Sequence, residues 1–248
     1  MNEPSNTPMM PPAPGPTGWM PVWIKAVTKP SEQTFVELTD QPEAVSKTAF
    51  LWVFIAATLS TIVAGLLQAL IAALGFTSQP MTIPGMEQFG PIGGSGGVAG
   101  LSLVTTICAS PVAGLLAVLF FAIGVAIIQW IAKLFGGVGT FDKLAYAIAA
   151  ISVPFTLVSM VVNPFNAIPY LGICTGLISF GLGIYALVLQ VMAVKGVNRF
   201  GWGAALGSVF IPFLVVVFVC GCLVIGGLMM MGPIIGNVFS EINQSLTP

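Results

Sequence analysis

Between Tyr170 and Val194 the chain runs for about twenty-five residues without a charge. That is enough to cross the ~30 Å hydrocarbon layer of a bilayer as a helix rising ~1.5 Å per residue. At helical spacing Gly172, Gly176, Ser179, Gly183, Ala186, Gln190 and Ala193 fall on one stripe, and bulky residues such as Ile173, Leu177, Phe180 and Ile184 take the other faces. In lipid, apolar side chains gain little by meeting one another, so helices associate through close backbone approach and a few polar contacts. Gly172, Gly176, Ser179, Gly183 and Gln190 are therefore read as a helix-packing seam. On that reading Gly176→Leu destabilises the bundle by separating backbones that must touch.

Similar runs recur. No charged residue lies in 48–86, 88–132, 144–194 or 200–240. Such stretches are too long for buried core helices and predict an all-α polytopic membrane protein. Five transmembrane helices are placed at about 48–74, 112–132, 144–162, 170–194 and 203–231. Ala57, Ser60, Ala64, Gln68 and Ala72 repeat the small-plus-Gln pattern in the first. As one helix, 98–132 would measure ~52 Å, more than a bilayer core needs. Pro111 is therefore read as dividing it, with 98–110 an interfacial or re-entrant segment. Pro154 and Pro212 fall inside the third and fifth spans, where each frees a carbonyl ~13–18 Å deep and predicts a kink. A hinge or a polar pocket at the midplane is the bolder alternative.

The flanks differ in character. Residues 1–18 are Pro-rich and read as a disordered tail without a signal-peptide pattern. Trp19, Val22, Trp23, Ala26 and Val27 then recur at helical spacing, with Lys25 and Lys29 off that face. This predicts a short amphipathic helix, its Trp and Lys forming a membrane-interface belt or its apolar face packing on the bundle's own end. Pro30 ends it, and Ser31 to Leu38 form a second helical piece with Phe35 and Leu38 inward. Asp40 and Glu43 at capping-box spacing, with Pro42 between, predict a helix start feeding the first span. The organisation is thus a cytoplasmic amphipathic segment at 19–40, a five-span domain at 41–231 and a polar tail at 232–248.

Charge orients the spans. Lys25, Lys29, Lys47, Lys133, Lys143, Lys195 and Arg199 are all seven of the basic residues. Alternation of five spans puts every one on the N-terminal side. The positive-inside rule then predicts a cytoplasmic N-terminus and a C-terminus outside, across the plasma (inner) membrane in a prokaryote. The 248 residues are 56% hydrophobic and 6% charged, against about one quarter charged in a soluble domain. A net charge of −1 gives no reason to expect nucleic acid. The partners implied are the lipid bilayer and either further copies of the chain or other membrane proteins.

Candidate chemistry is sparse. There is no His, the commonest general base and metal ligand. No span interior carries Asp, Glu or Lys, so no catalytic, metal or cofactor site is assigned. Cys220 and Cys222 sit in an apolar run and read as packing residues; Cys108 and Cys174 share a membrane face, with a disulfide as the alternative. The glycines between Lys133 and Lys143 read as a turn, since no strand precedes them and no Gly-Lys-Ser/Thr follows.

Several short motifs carry a resemblance. Trp23 to Pro30 (Trp-Ile-Lys-Ala-Val-Thr-Lys-Pro) is followed by Phe35, Gly139 to Phe141 opens the third span, Pro154 lies inside it, and Ile168 to Gly172 opens the fourth. With five spans and a cytoplasmic N-terminus, the chain resembles the Yip1 domain family over about residues 19–230, and its prokaryotic branch more closely. The resemblance implies a multi-pass helical domain without known catalytic activity. Eukaryotic members are linked to vesicle traffic, small GTPases and one another. The acidic, Tyr-rich cytoplasmic segment of those members is missing here, so GTPase binding is not carried over. The function implied is a non-enzymatic organiser of membrane or partner proteins. A transporter or channel for a neutral or lipidic substrate is the alternative.

Overall fold

The computed structural model describes residues 18–74, 99–168 and 170–246. The Pro-rich tail and the loop expected at 75–97 lie outside them. Seven α-helices follow in order: α1 Trp19–Thr28, α2 Glu32–Thr39, α3 Ser46–Ala73, α4 Ala99–Leu134, α5 Phe141–Val162, α6 Leu171–Asn198 and α7 Trp202–Leu246. A 3-10 turn, Asn163–Ala167, joins α5 to α6. Among the described residues there is no strand. Each of α3 to α7 contains a segment long and apolar enough to cross a membrane. The five-span all-α architecture read from the hydropathy pattern is the architecture present.

The organising helix is α5, not α6. Leu144 through Ile151 are buried without interruption, and Val153 continues the run. A helix covered on all sides needs small residues to let its neighbours approach. Ala145, Ala147, Ala149 and Ala150 supply them, and α1, α2, α3, α4 and α6 all pack on α5. The core occupies one end of the bundle, where Phe35, Leu38, Trp52, Leu144, Leu189 and Val194 meet. Towards the other end most described side chains of α6 and α7 are exposed. From Ile211 to Val219 nearly every side chain of α7 is exposed in sequence, hence on every face.

Three elements differ from expectation for identifiable reasons. Residues 99–134 form one helix through Pro111 rather than a span and a separate segment. Pro111 removes the N–H that would bond the Ile107 carbonyl. The Ser110 hydroxyl donates to that carbonyl instead, at 2.8 Å. With the freed group satisfied the helix need not break. Asp40 ends α2 rather than starting a helix, and 40–45 are a turn. The first span starts at Ser46, whose N–H donates 3.3 Å to Asp142 Oδ1 from the first turn of α5. Its cap thus comes from 96 residues away, beyond any local spacing rule. Finally, α7 keeps a helical backbone to Leu246, through most of the stretch read as a polar tail.

Pro154 and Pro212 both lie inside continuous helices. Cys108, Cys174, Cys220 and Cys222 are all free and exposed, so the disulfide alternative is discarded.

Candidate functional site

The end of the bundle that carries the core also carries the polar chemistry. Its scaffold is α2. Ser31 caps this helix by accepting from the Thr34 N–H at 3.1 Å. The apolar side of α2 buries Phe35 and Leu38 completely. Its acidic side is tied to three neighbours: Glu37 to Lys25 of α1 at 2.7 Å, Asp40 to Lys143 of α5 at 2.6 Å, and Glu32 to Lys195 of α6. A further close approach fixes α2 on α6, because a Cβ at Gly196 would lie 2.8 Å from the Glu32 carbonyl oxygen.

α1 is held by aromatic packing. Trp52 of α3, almost fully buried, meets Trp23 at 5.6 Å and Trp19 at 6.1 Å between ring centroids, both edge to face. Tyr146 of α5 lies 4.9 Å beneath Trp52. The Tyr185 hydroxyl donates to the Val27 carbonyl at 2.6 Å, satisfying one of the last-turn carbonyls that a helix leaves open. Val22 and Ala26 are buried in the same contact. The expected belt therefore divides. Trp23 and Lys25 serve contacts within the chain. Trp19 is 43% exposed and Lys29 is free of ion pairs among the described residues. Beside them Met20 and Ile24, one turn apart, are 64% and 55% exposed. This outward apolar pair was not singled out in the sequence, although its i, i+4 spacing marks it.

A second polar feature closes the ends of α4, α5 and α6. Gln129, almost fully buried, donates through Nε2 to the Gly139 carbonyl at 2.6 Å and to Asn198 Oδ1 at 3.2 Å. Asn198 is equally buried, donates to the Val194 carbonyl and accepts at its own carbonyl from the Val138 N–H at 3.2 Å. A Cβ on Gly137 or Gly139 would lie 2.7 Å from Asn198 Oδ1. The glycines of the 133–143 loop are thus required by close approach of a side chain, in keeping with a turn.

The seam read on α6 is only partly engaged. A Cβ at Gly172 would strike the Asn166 carbonyl oxygen at 2.8 Å, but at Gly176 and Gly183 it would meet nothing. Ser179 and Gln190 are half-buried. The start of α6 packs on the Asn163–Ala167 turn, while a side chain added at Gly176 would meet no described residue. The close glycine contacts of the spans lie elsewhere. Gly65 abuts Thr106, and Gly114 abuts Thr58 and Phe54, where α3 packs on α4.

Pro212 lines a groove of about 440 Å³ between α4 and α7. Trp130, Ile131 and Leu134 form one wall, Ile211, Pro212 and Val215 the other. It presents hydrocarbon, not the polar pocket considered for a midplane proline. Among the described residues no three His, Cys, Asp or Glu come together as metal ligands.

No curated protein and no solved structure matches the chain. The family model for the Yip1 domain, however, matches residues 24–224. That range begins within α1, ends within α7 and includes the Trp cluster's Trp52, the Gln129–Asn198 contact, the first four spans and most of the fifth. The chain is an integral membrane protein that belongs to the Yip1 domain family.

Proposed function

We propose that this chain is a non-enzymatic membrane organiser whose α1–α2 end faces the cytoplasm and engages headgroups and partner proteins. The observation that carries the reading is how the polar groups of that end are used. Ion pairs strap α2 to α1, α5 and α6, and the buried amides tie helix ends together. These groups hold a platform together. What the platform displays is Trp19, Met20 and Ile24 with Lys29 beside them. Trp and Lys at the headgroup level, next to exposed aliphatic side chains, suit a helix seated in the interface. The open half of α6 offers a further surface to lipid or another membrane protein.

Photocrosslinking tests this reading. A photoreactive residue at Met20 or Ile24, in native membrane, is expected to capture phospholipid or a discrete protein partner. The same group at Ala149, sealed inside α5, captures only this chain. Absence of any lipid or protein adduct at both α1 positions would overturn the platform reading. Substrate transport is supported less, because the groove described is apolar and lies on the flank between α4 and α7 rather than among the third, fourth and fifth spans.

A further inference from the structure

We infer that α1 is a strap with two positions, either docked on the bundle or lifted into the lipid interface. The inference rests on the platform reading and adds how that platform is regulated. Three observations carry it.

Docking α1 leaves polar groups without partners. The Trp23 and Trp52 indole N–H groups are both buried, and neither has an acceptor among the described residues. A buried tryptophan N–H normally finds a partner. One left without it forfeits the hydrogen bonds it makes to water or a headgroup. The two rings meet edge to face, with 86° between their planes, and a ring face is only a weak acceptor. Both donors sit in the contact between α1 and α3, so parting these helices frees them together. In the lipid interface, ester and phosphate oxygens and water supply the acceptors that the docked position withholds.

The ends of α1 allow it to move as a unit while α2 stays in place. Gly18, just before it, has φ +113° and ψ 161°, a region essentially confined to glycine. Residues Lys29 to Ser31, with Pro30 between, link it to α2. α2 is anchored by the fully buried Phe35 and Leu38 and by the close approach of Gly196 to the Glu32 carbonyl. α1, by contrast, fully buries only Val22 and Ala26. Its polar ties are the Tyr185–Val27 hydrogen bond and the Lys25–Glu37 ion pair, whose side chains are 27% and 52% exposed. An ion pair so exposed holds weakly.

The lifted helix suits lipid. Met20 and Ile24 already face outward. Lifting adds Val22, Trp23, Ala26 and Val27, and leaves Lys25 and Thr28 as the polar side chains of α1. Such a helix lies in the headgroup layer with the Lys stem reaching water. Bundle and bilayer thus compete for the same apolar face, and a bilayer that opens room at its surface draws α1 off the bundle.

The test is double electron–electron resonance on the full chain in nanodiscs of phosphatidylcholine with phosphatidylglycerol. Spin labels are placed through Ile24→Cys and Val138→Cys, both exposed positions, with Cys108, Cys174, Cys220 and Cys222 replaced by Ala. Two distance populations are expected, one of them that of the docked helix. Benzothienylalanine in place of Trp52 keeps the ring and exchanges the N–H for sulfur. It is expected to raise the ratio of docked to lifted helix about fivefold or more, because it deletes a donor that only docking strands. The same exchange at Trp23 acts in the same direction and gives an independent reading. Tyr185→Phe, which removes the hydroxyl bonded to the Val27 carbonyl, is expected to lower the ratio about twofold or more. Benzothienylalanine at Trp202, outside the cluster and 51% exposed, leaves it unchanged. A single docked distance in the wild type and in Tyr185→Phe alike overturns the inference. So does a ratio that is unchanged or lowered by the exchanges at Trp52 and Trp23, which would mean that the docked N–H groups are bonded after all. Photocrosslinked adducts at Met20 and Ile24 alongside a single docked distance would leave the platform standing and remove the strap, so the two failures are told apart.

Discussion

Gln129 and Asn198 show how much a single buried amide can hold in a membrane protein. Gln129 connects α4 to the carbonyl of Gly139 and to Asn198 at the end of α6. Replacing it by Leu keeps the volume but strands a buried carbonyl, which costs about 1–3 kcal/mol. In a protein of this size that lowers the melting temperature in detergent by roughly 2–4 °C per kcal/mol. A melting temperature within a degree of wild type would show that the contact contributes nothing. Glycine substitutions separate required from permitted positions more sharply. Gly139→Ala drives its Cβ into Asn198 Oδ1, Val197 Cγ1 and the Val197 carbonyl, all within 2.9 Å, and is expected to cost about 1–3 kcal/mol. Gly183→Ala meets open space and should stay within about 0.5 kcal/mol of wild type or gain from helix propensity. Equal melting temperatures for the two variants would contradict the packing described.

At the scale of elements, a continuous α4 depends on Ser110 covering the carbonyl that Pro111 exposes. Ser110→Ala should therefore destabilise the wild type by about 0.6–1 kcal/mol, the range of hydrogen bonds inside membrane proteins, and have little effect when Pro111 is already Ala. A double-mutant cycle in detergent measures this coupling; strictly additive effects would show that the hydroxyl does not compensate the proline. Docking of α2 divides between apolar and ionic contacts in the opposite proportion. The pairs Lys25–Glu37 and Lys143–Asp40 are largely exposed, and exposed pairs contribute about 0–1 kcal/mol each. Phe35 is fully buried, and its truncation to Ala costs about 3–5 kcal/mol. Phe35→Ala should thus accelerate proteolysis at the 40–45 turn, whereas Lys25→Gln with Lys143→Gln should not.

The same elements show what was legible in the chain. Spans declared themselves because long uncharged runs have one stable solution in a bilayer, and α1 and α2 because Trp19, Trp23, Phe35 and Leu38 keep helical period. What stayed hidden rests on partners distant in sequence. Asp142 caps Ser46, Trp52 receives Trp23, and Asn198 fills the space above Gly137 and Gly139. No local pattern encodes these meetings. On α6 small residues permit close approach without by themselves supplying a neighbour; among the described residues the neighbour-rich helix is the Ala-dense α5.

For the whole molecule, one end is closed and the other is largely exposed. The closed end gathers the Trp cluster, the strapped α2 and every basic residue. Beyond it, the described side chains of α6 and α7 are mostly exposed, suiting lateral contact with lipid or other membrane proteins. The platform reading presumes that this closed end faces the cytoplasm, where positive flanks are retained. Single-cysteine labelling tests that premise, with the 4 native cysteines replaced by Ala. A thiol at Ser245, after the fifth span, should react with a membrane-impermeant maleimide in intact cells, and one at Gln33 on α2 only after the cells are opened. Labelling of Gln33→Cys in intact cells together with protection of Ser245→Cys would invert the protein and remove the basis of the platform reading.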